Sequence, residues 1–181
     1  MIDISIIIVN YNVREYIINC IQSIQYFTTK DLTFEIIVVD NASKDGSPEY
    51  FENNLPEIKL IKNSENIGFS KAINQGIDVA QGEYLFLLNP DTKLLEDSIN
   101  ILHSFIRKQS QIGAIGPKLI GENGNLQKSF WRVPTLLSTL LSIYHLESFN
   151  IKKNYGHANI DKPLSVDTIS GGAFFIRRNL F

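Results

Sequence analysis

Cysteine is nearly missing from this chain, and that absence is informative. One cysteine in 181 residues, Cys20, excludes an internal disulfide framework and any multi-cysteine zinc site. Long apolar runs are missing too: none approaches the ~20 residues that a membrane span requires. The segment Met1–Val9 has no basic stretch, and Asp3 and Ser5 interrupt its apolar run, so it does not read as a signal peptide. Charge of one sign is not in excess, with 17 Lys and Arg against 19 Asp and Glu and a formal net charge of −2. That near balance gives no general reason to expect nucleic acid or an anionic membrane as partner. The reading from these absences is a soluble, cytoplasmic protein.

Several familiar motifs are also lacking. No GxGxxG follows the first apolar run, which disfavours a dinucleotide-binding fold, and no GxxxxGK[ST] occurs, which excludes a P-loop NTPase. There is no GxSxG nucleophile elbow. His103, His145 and His157 are too scattered for a metal cluster. His103 reads as a surface or packing residue on a helix, and Cys20, on an apolar helix face, as a small buried hydrophobe.

What is present can fold. With 44% hydrophobic and 20% charged residues the chain can build a core, and its length fits one domain, or one domain cut short. Ile4–Val9, Ile36–Val39, Ile58–Ile61, Tyr84–Leu88 and Ile112–Ile115 are strand-length runs apolar on both faces, as a parallel sheet covered by helices demands. Helical stripes lie between them: Val13, Ile17, Cys20, Ile21 and Ile24; then Phe69, Ala72, Ile73, Gly76, Ile77 and Ala80; then Ile99, Leu102, Phe105 and Ile106. Ser47-Pro48-Glu49 supplies an N-cap and a first-turn proline for a short helix. The alternation predicts an α/β fold, an open, doubly wound sheet flanked by helices. Gly76 falls inside a buried stripe, where a missing side chain permits close approach to the sheet. After Lys118 the rhythm changes. Residues 121–125 form a turn signal, Leu126–Trp131 a return strand, and Pro134 opens a helix carrying Leu136, Leu137, Leu140, Leu141 and Tyr144. Residues 147–163 read as a loop, and Val166–Ile169 and Ala173–Ile176 as strands.

Polar residues collect just after the strands: Asn10-Tyr11-Asn12, Asp40-Asn41-Ala42-Ser43, Asn63 with Asn66-Ile67-Gly68, and Asn89-Pro90-Asp91-Thr92. In open parallel sheets ligands bind outside the carboxyl ends, where strand order reverses. For any single loop, ordinary turn chemistry is the better explanation; for all of them jointly, a binding site is. Asp40 could accept from a ribose hydroxyl or a base N–H. A lone carboxylate at Asp91 suits Mg2+ or Mn2+, which take few protein carboxylates and complete their shell with phosphates and water. Asn66-Ile67-Gly68-Phe69 precedes a helix whose first amides favour an anion. Lys71, Asn74 and Asp78 face away from that helix's apolar stripe. Lys71 could reach a phosphate, although alone it reads as a solvated lysine.

The ordered set Val9-Asn10-Tyr11-Asn12, Val38-Val39-Asp40-Asn41-Ala42-Ser43, Asn66-x-Gly68-Phe69-x-x-Ala72-x-Asn74-x-Gly76 and Leu87-Leu88-Asn89-Pro90-Asp91, with Ser170–Arg178 behind it, resembles family 2 glycosyltransferases. It looks most like the bacterial branch that includes rhamnosyltransferases. The resemblance covers nearly the whole chain. It implies a GT-A fold and a UDP-, dTDP- or GDP-linked sugar donor. Asn10, Tyr11 and Asp40 would hold the base and ribose; Asn66, Gly68, Lys71, Asn74 and Asn89 would line the donor pocket. Asn89-Pro90-Asp91 stands where the family has its Asp-x-Asp metal motif, with Asn89 replacing the first carboxylate and Asp91 as the ligand for Mg2+ or Mn2+. Transfer to an acceptor hydroxyl would invert the anomeric carbon. Trp131 and Arg132, with Gly171 and Gly172, would lie on the side of a carbohydrate or lipid-linked acceptor.

The family's base is an acidic residue in a motif on a helix after the Gly-Gly-Ala strand, and these 181 residues hold no such motif. Asp161 and Asp167 do not match its position. The expectation is a single GT-A domain incomplete on its acceptor side, with the base beyond Phe181, acting in cell-surface polysaccharide synthesis. A non-catalytic nucleotide-sugar-binding module is the alternative. Nucleotidyl transfer to a sugar phosphate ranks below both, because Asn10–Arg14 lacks the glycine-rich basic loop that chemistry uses. The Leu136–Tyr144 stripe reads first as packing and second as an interfacial helix at the inner membrane face.

Overall fold

A computed structural model describes residues 2–29, 31–131, 133 and 162–181. The chain divides into two compact units, Met1–Pro117 together with Gly171–Phe181, and Lys118–Ser170.

In the first unit the elements run β1 (Ile4–Asn10), α1 (Arg14–Phe27), β2 (Phe34–Asp40), α2 (Ser47–Asn54), β3 (Lys59–Lys62), α3 (Phe69–Asp78), β4 (Tyr84–Leu88), α4 (Ser98–Arg107) and β5 (Ala114–Ile115). Four short strands belong to the second unit: β6 (Leu119–Ile120), β7 (Leu126–Gln127), β8 (Phe130–Trp131) and β9 (Thr168–Ile169). The chain then returns to the first unit with β10 (Ala173–Arg177) and a closing 3-10 turn, Arg178–Leu180. The sheet order is β3-β2-β1-β4-β10-β5. β1 lies parallel to β2 and β4, and β2 parallel to β3. Every residue of β1 is buried, which is why the run Ile6–Val9 carries no alternation. One face of the sheet, with Ile7, Val9, Ile37, Val39 and Leu85, packs against Ala72 and Ile73 of α3. Gly76 allows that contact: a Cβ there would stand 2.5 Å from Ile7 Cγ2.

The expected mostly parallel α/β architecture is present, with informative differences. Ile112–Ile115 does not continue the parallel order; only Ala114–Ile115 is extended, at the edge, and pairs antiparallel with β10. The place beside β4 belongs to β10, antiparallel, with Ala173 opposite Leu88 and Arg177 opposite Tyr84. Phe175, fully buried, stacks on Tyr84 at 5.6 Å between ring centroids and lies 5.7 Å from Phe86. Aromatic burial from a distant segment therefore outcompetes the local run. Ser47 is the first residue of α2, not its cap; Gly46, at φ +78, occupies the cap position. Phe69 opens α3 half-exposed, not within the buried stripe.

In the second unit β6 and β7 form a hairpin over the turn at residues 121–125, and β8 pairs antiparallel with β9. The anticipated strand Leu126–Trp131 is thus two strands with different partners. The expected helix from Pro134 and most of the loop 147–163 fall outside the described residues.

Candidate active site at the carboxyl edge of the sheet

Strand order reverses between β1 and β4, and the carboxyl ends at such a reversal are where open parallel sheets bind ligands. The β1 side of the reversal is a hydrogen-bonded knot. Asn10 and Asp40 are register partners at the last residues of β1 and β2, and both are buried. Asn10 Nδ2 donates to Asp40 Oδ1 at 2.7 Å and to Ser43 Oγ at 3.0 Å. Asp40 Oδ2 accepts from Ser43 N at 2.9 Å, and Ser43 Oγ accepts from Asn12 N at 3.0 Å. Asn12 Oδ1 in turn accepts from Lys44 N at 2.7 Å. Asn12 and Ala42 hold the left-handed backbone, at φ 54 and 62, that lets both loops curl together. Asn10 Oδ1 is buried and without a hydrogen-bond partner among the described residues. An unmet acceptor of this kind costs ~1–3 kcal/mol. Tyr11 leaves this knot half-exposed.

Next along the edge, Asn63 N donates to Asp40 O at 2.9 Å, extending the rim past β3. Its side chain donates to Asn41 Oδ1 and exchanges amide bonds with Gln75 of α3, each at 2.9 Å. Asn66 Oδ1 accepts from Gly68 N at 3.0 Å, closing the turn into α3, and Gly68 holds φ +85. Lys71 and Asn74 are exposed on the polar side of α3.

At the end of β4, Asn89-Pro90-Asp91-Thr92 is a β-turn closed by Thr92 N donating to Asn89 O at 3.2 Å. Pro90 presets its second position. Asp91 is exposed at the third, and its carboxylate makes no hydrogen bond or ion pair among the described residues. Asn89 N donates to Gly172 O at 2.9 Å, so the turn leans on the start of β10. Beneath it lies Cys20 of α1, whose thiol burial pushes up to about 12, with the Asp91 charge adding to that and a Thr92 hydrogen bond opposing it. It is an inert packing thiol. Among the described residues no group of three acidic, His or Cys side chains could enclose a metal. The exposed carboxylate of Asp91 fits a cation that draws its other ligands from phosphate and water.

The sequence model of glycosyl transferase family 2 matches residues 5–181. The chain belongs to glycosyl transferase family 2. Its relatives include the abequosyltransferase RfbV of Salmonella typhimurium, 32% identical over 60% of this chain and 34% of that protein. Another is the N-acetylglucosaminyl-diphospho-decaprenol L-rhamnosyltransferase of Mycobacterium tuberculosis, 22% identical over 73% of this chain and 46% of that one. Among solved structures, S. aureus TarS 1-349 in complex with UDP-GlcNAc superposes with a TM-score of 0.67 over 99% of this chain and 46% of its own, at 20% identity. The mannosyltransferase PcManGT of Pyrobaculum calidifontis, in complex with GDP-Man and Mn2+, gives 0.64 over 98% and 45%, at 20% identity. These two establish the fold as GT-A. The chain spans less than half the length of these relatives.

On this family 2 chain the donor-side residues inferred from sequence come to one edge of one sheet: Asn10 and Tyr11 after β1, Asp40 after β2, Asn66 and Gly68 before α3 with Lys71 and Asn74 on it, and Asn89 and Asp91 after β4. The residues assigned to the acceptor side are divided between the two units. Gly171 and Gly172 begin the return to the first unit, whereas Trp131 is exposed in the second, with Lys128 Nζ 5.9 Å from its ring. Arg132 and Asp161 lie outside the described residues. Asp167 Oδ2 accepts from Val133 N at 3.2 Å, a contact within the second unit. Sequence reasoning assigned no role to Ser43, which joins the two loops, or to the Asn41–Asn63–Gln75 network. Ser43 closes the quoted Asp40–Ser43 motif, and that was the available signal. Gln75, beside the buried Gly76, was the other.

Among the described residues no helix is long and apolar enough to cross a membrane.

Proposed function

We propose that this chain binds a nucleoside-diphosphate sugar along the β1/β4 edge and serves its inverting transfer to an acceptor hydroxyl, in the synthesis of a cell-surface polysaccharide. The observation that carries the reading is the free, exposed carboxylate of Asp91 in the turn after β4, at the strand-order reversal. Asn10, Tyr11 and Asp40 are assigned to the base and ribose. Tyr11 offers an exposed ring for stacking, and each Asp40 oxygen keeps a lone pair beyond its present bond. Asn66, Gly68, Lys71, Asn74 and Asn89 are assigned to the diphosphate and sugar, with the exposed Lys71 ammonium as counter-charge. Asp91 would hold Mg2+ or Mn2+. When bound, that ion supplies charge stabilisation for the departing nucleoside diphosphate. Trp131, Arg132, Gly171 and Gly172 are assigned to a carbohydrate or lipid-linked acceptor, in a protein acting in the cytoplasm or at the inner membrane face. No residue of this chain is assigned as the general base. The single-domain reading of residues 1–181, with acceptor functions completed outside them, is part of the same proposal.

Isothermal titration tests it. Binding of UDP, dTDP or GDP is expected to tighten at least about tenfold with Mn2+, and Asp91→Ala is expected to abolish that gain while metal-free binding survives. No heat with any of these nucleotides, or an Asp91→Ala titration identical to the parent, overturns it. Nucleotide binding without sugar transfer to any acceptor would mark the chain as a donor-binding module.

A further inference from the structure

The turn that presents Asp91 is held from below by side chains with no role in the donor assignments. Asn89 O is the focus. It accepts from Thr92 Oγ1 at 2.7 Å as well as from Thr92 N, and Cys20 Sγ lies 3.9 Å from it. Cys20 Sγ is also 3.7 Å from Thr92 Oγ1, so the thiol and the hydroxyl share the carbonyl. One turn further along α1, Ser23 Oγ donates to Cys20 O at 2.7 Å and accepts from Leu94 N at 3.0 Å. Cys20 and Ser23 are buried, and so is Leu94. The buried face of α1 therefore grips the loop at two points, one on each side of Asp91.

A short turn with one exposed carboxylate gains cation affinity only if that carboxylate is held in place before the ion arrives. Otherwise ordering the turn subtracts from binding. We propose that Thr92, Cys20 and Ser23 are positioning residues for Asp91, fixing the Asn89–Leu94 loop on α1 so that the carboxylate is preorganised for the divalent cation of the nucleotide complex. The inference rests on the assignment of Asp91 given above. Thr92 is the key member, because its hydroxyl is the short bond across the turn. Val keeps the shape of Thr but removes that hydroxyl, leaving Cys20 only the Asn89 carbonyl as a polar neighbour.

The test measures Mn2+ affinity by electron paramagnetic resonance in the presence of saturating nucleoside diphosphate, and nucleotide affinity separately in EDTA. Thr92→Val and Ser23→Ala are each expected to raise the Mn2+ dissociation constant about tenfold, within the range typical for groups that orient a metal ligand. Metal-free nucleotide affinity should change less than about twofold, and Thr92→Ser should restore Mn2+ binding. Circular dichroism and thermal melting identify a variant that has lost its fold, and Thr92→Ser and Ser23→Ala then carry the comparison. Unchanged Mn2+ affinity in folded variants overturns the proposal, as does a parallel loss of metal-free nucleotide binding. If the parent binds no Mn2+, or Asp91→Ala binds it equally well, the Asp91 assignment itself falls and takes this inference with it.

Discussion

At the residue scale, burial decides what the titratable side chains can do. His103 reads from sequence as a surface or packing residue, and the structure makes it the second: its ring meets Tyr84 edge-on at 5.1 Å in the core. Burial lowers its pKa, Asp3 and Glu83 oppose that shift, and Arg107 assists it. The folded protein thus holds His103 neutral at a pH where the unfolded chain already binds a proton. Its contribution to stability is complete above the ordinary value of 6.5 and is lost as pH falls from there through the lower folded value. We expect the difference in melting temperature between pH 7.5 and 5.5 to shrink in His103→Phe relative to the parent, measured by calorimetry. An equal difference in both proteins would place the acid sensitivity elsewhere. The spacing of His103, four residues after Ile99 and three before Ile106, puts it on the apolar face of α4, but the stripe does not name the partner it meets there. That partner is Tyr84, which belongs to another element.

At the scale of elements, one loop residue starts two helices. Asp45 Oδ2 accepts from Arg14 N at 2.9 Å, at the first turn of α1, while Oδ1 accepts from Ser47 N at 3.1 Å and from the Ser47 hydroxyl, at the first turn of α2. Val13 and Gly46 supply no side-chain cap of their own. Burial alone would raise the Asp45 pKa, but the hydrogen bonds from Ser47 and the Arg14 amide outweigh it and hold it below the usual value. Two free helix ends satisfied by one carboxylate should exceed the ~1 kcal/mol of an ordinary cap. Asp45→Ala is expected to destabilise the protein by about 2 kcal/mol, read by chemical denaturation at neutral pH. A loss below about 0.5 kcal/mol would show that water caps both ends as well. The Ser47-Pro48-Glu49 signature located the start of α2 to within one residue. The cap itself escaped it because the acceptor reaches back from Asp45 and also serves a helix about thirty residues earlier in sequence, which no local pattern records.

For the whole molecule, the antiparallel strand β10 lies between β4 and the edge strand β5, and Arg177 at its end ties several elements together. Its guanidinium donates to Ile106 O at 2.7 Å, to Gln109 O at 3.3 Å and to the Tyr84 hydroxyl at 3.1 Å, and its Nε donates to Ile112 O at 3.0 Å. It therefore satisfies carbonyls released at the end of α4 and joins them to β4 and β10. Arg177→Met keeps much of the apolar stem but removes all four bonds: Ile106 O and Gln109 O keep only the turn bonds from Gln109 N and Ile112 N, and Ile112 O loses the donor that Arg177 supplies. We expect a loss of about 2–4 kcal/mol in unfolding free energy, with the transition still cooperative. A near-neutral result would mean that solvent reaches the end of α4 in the native state.

The parallel half of the fold and the polar rim at its carboxyl edge were legible in the sequence because both are local in origin. A strand covered on two faces must be apolar throughout, and each such run here ends in the polar residues that its loop displays. Asn10, Asp40, Asn66 and Asp91 could therefore be named before their neighbours were known. Tertiary structure alone decided the rest. β10 displaced Ile112–Ile115 from beside β4, because Phe175 buries its ring between Tyr84 and Phe86 from a segment far along the chain. Asp45 became the cap of two helices, and Cys20, Ser23 and Thr92 met beneath Asp91. These contacts join residues distant in sequence, and their free energy comes from burial and hydrogen-bond satisfaction after folding rather than from any periodicity along the chain.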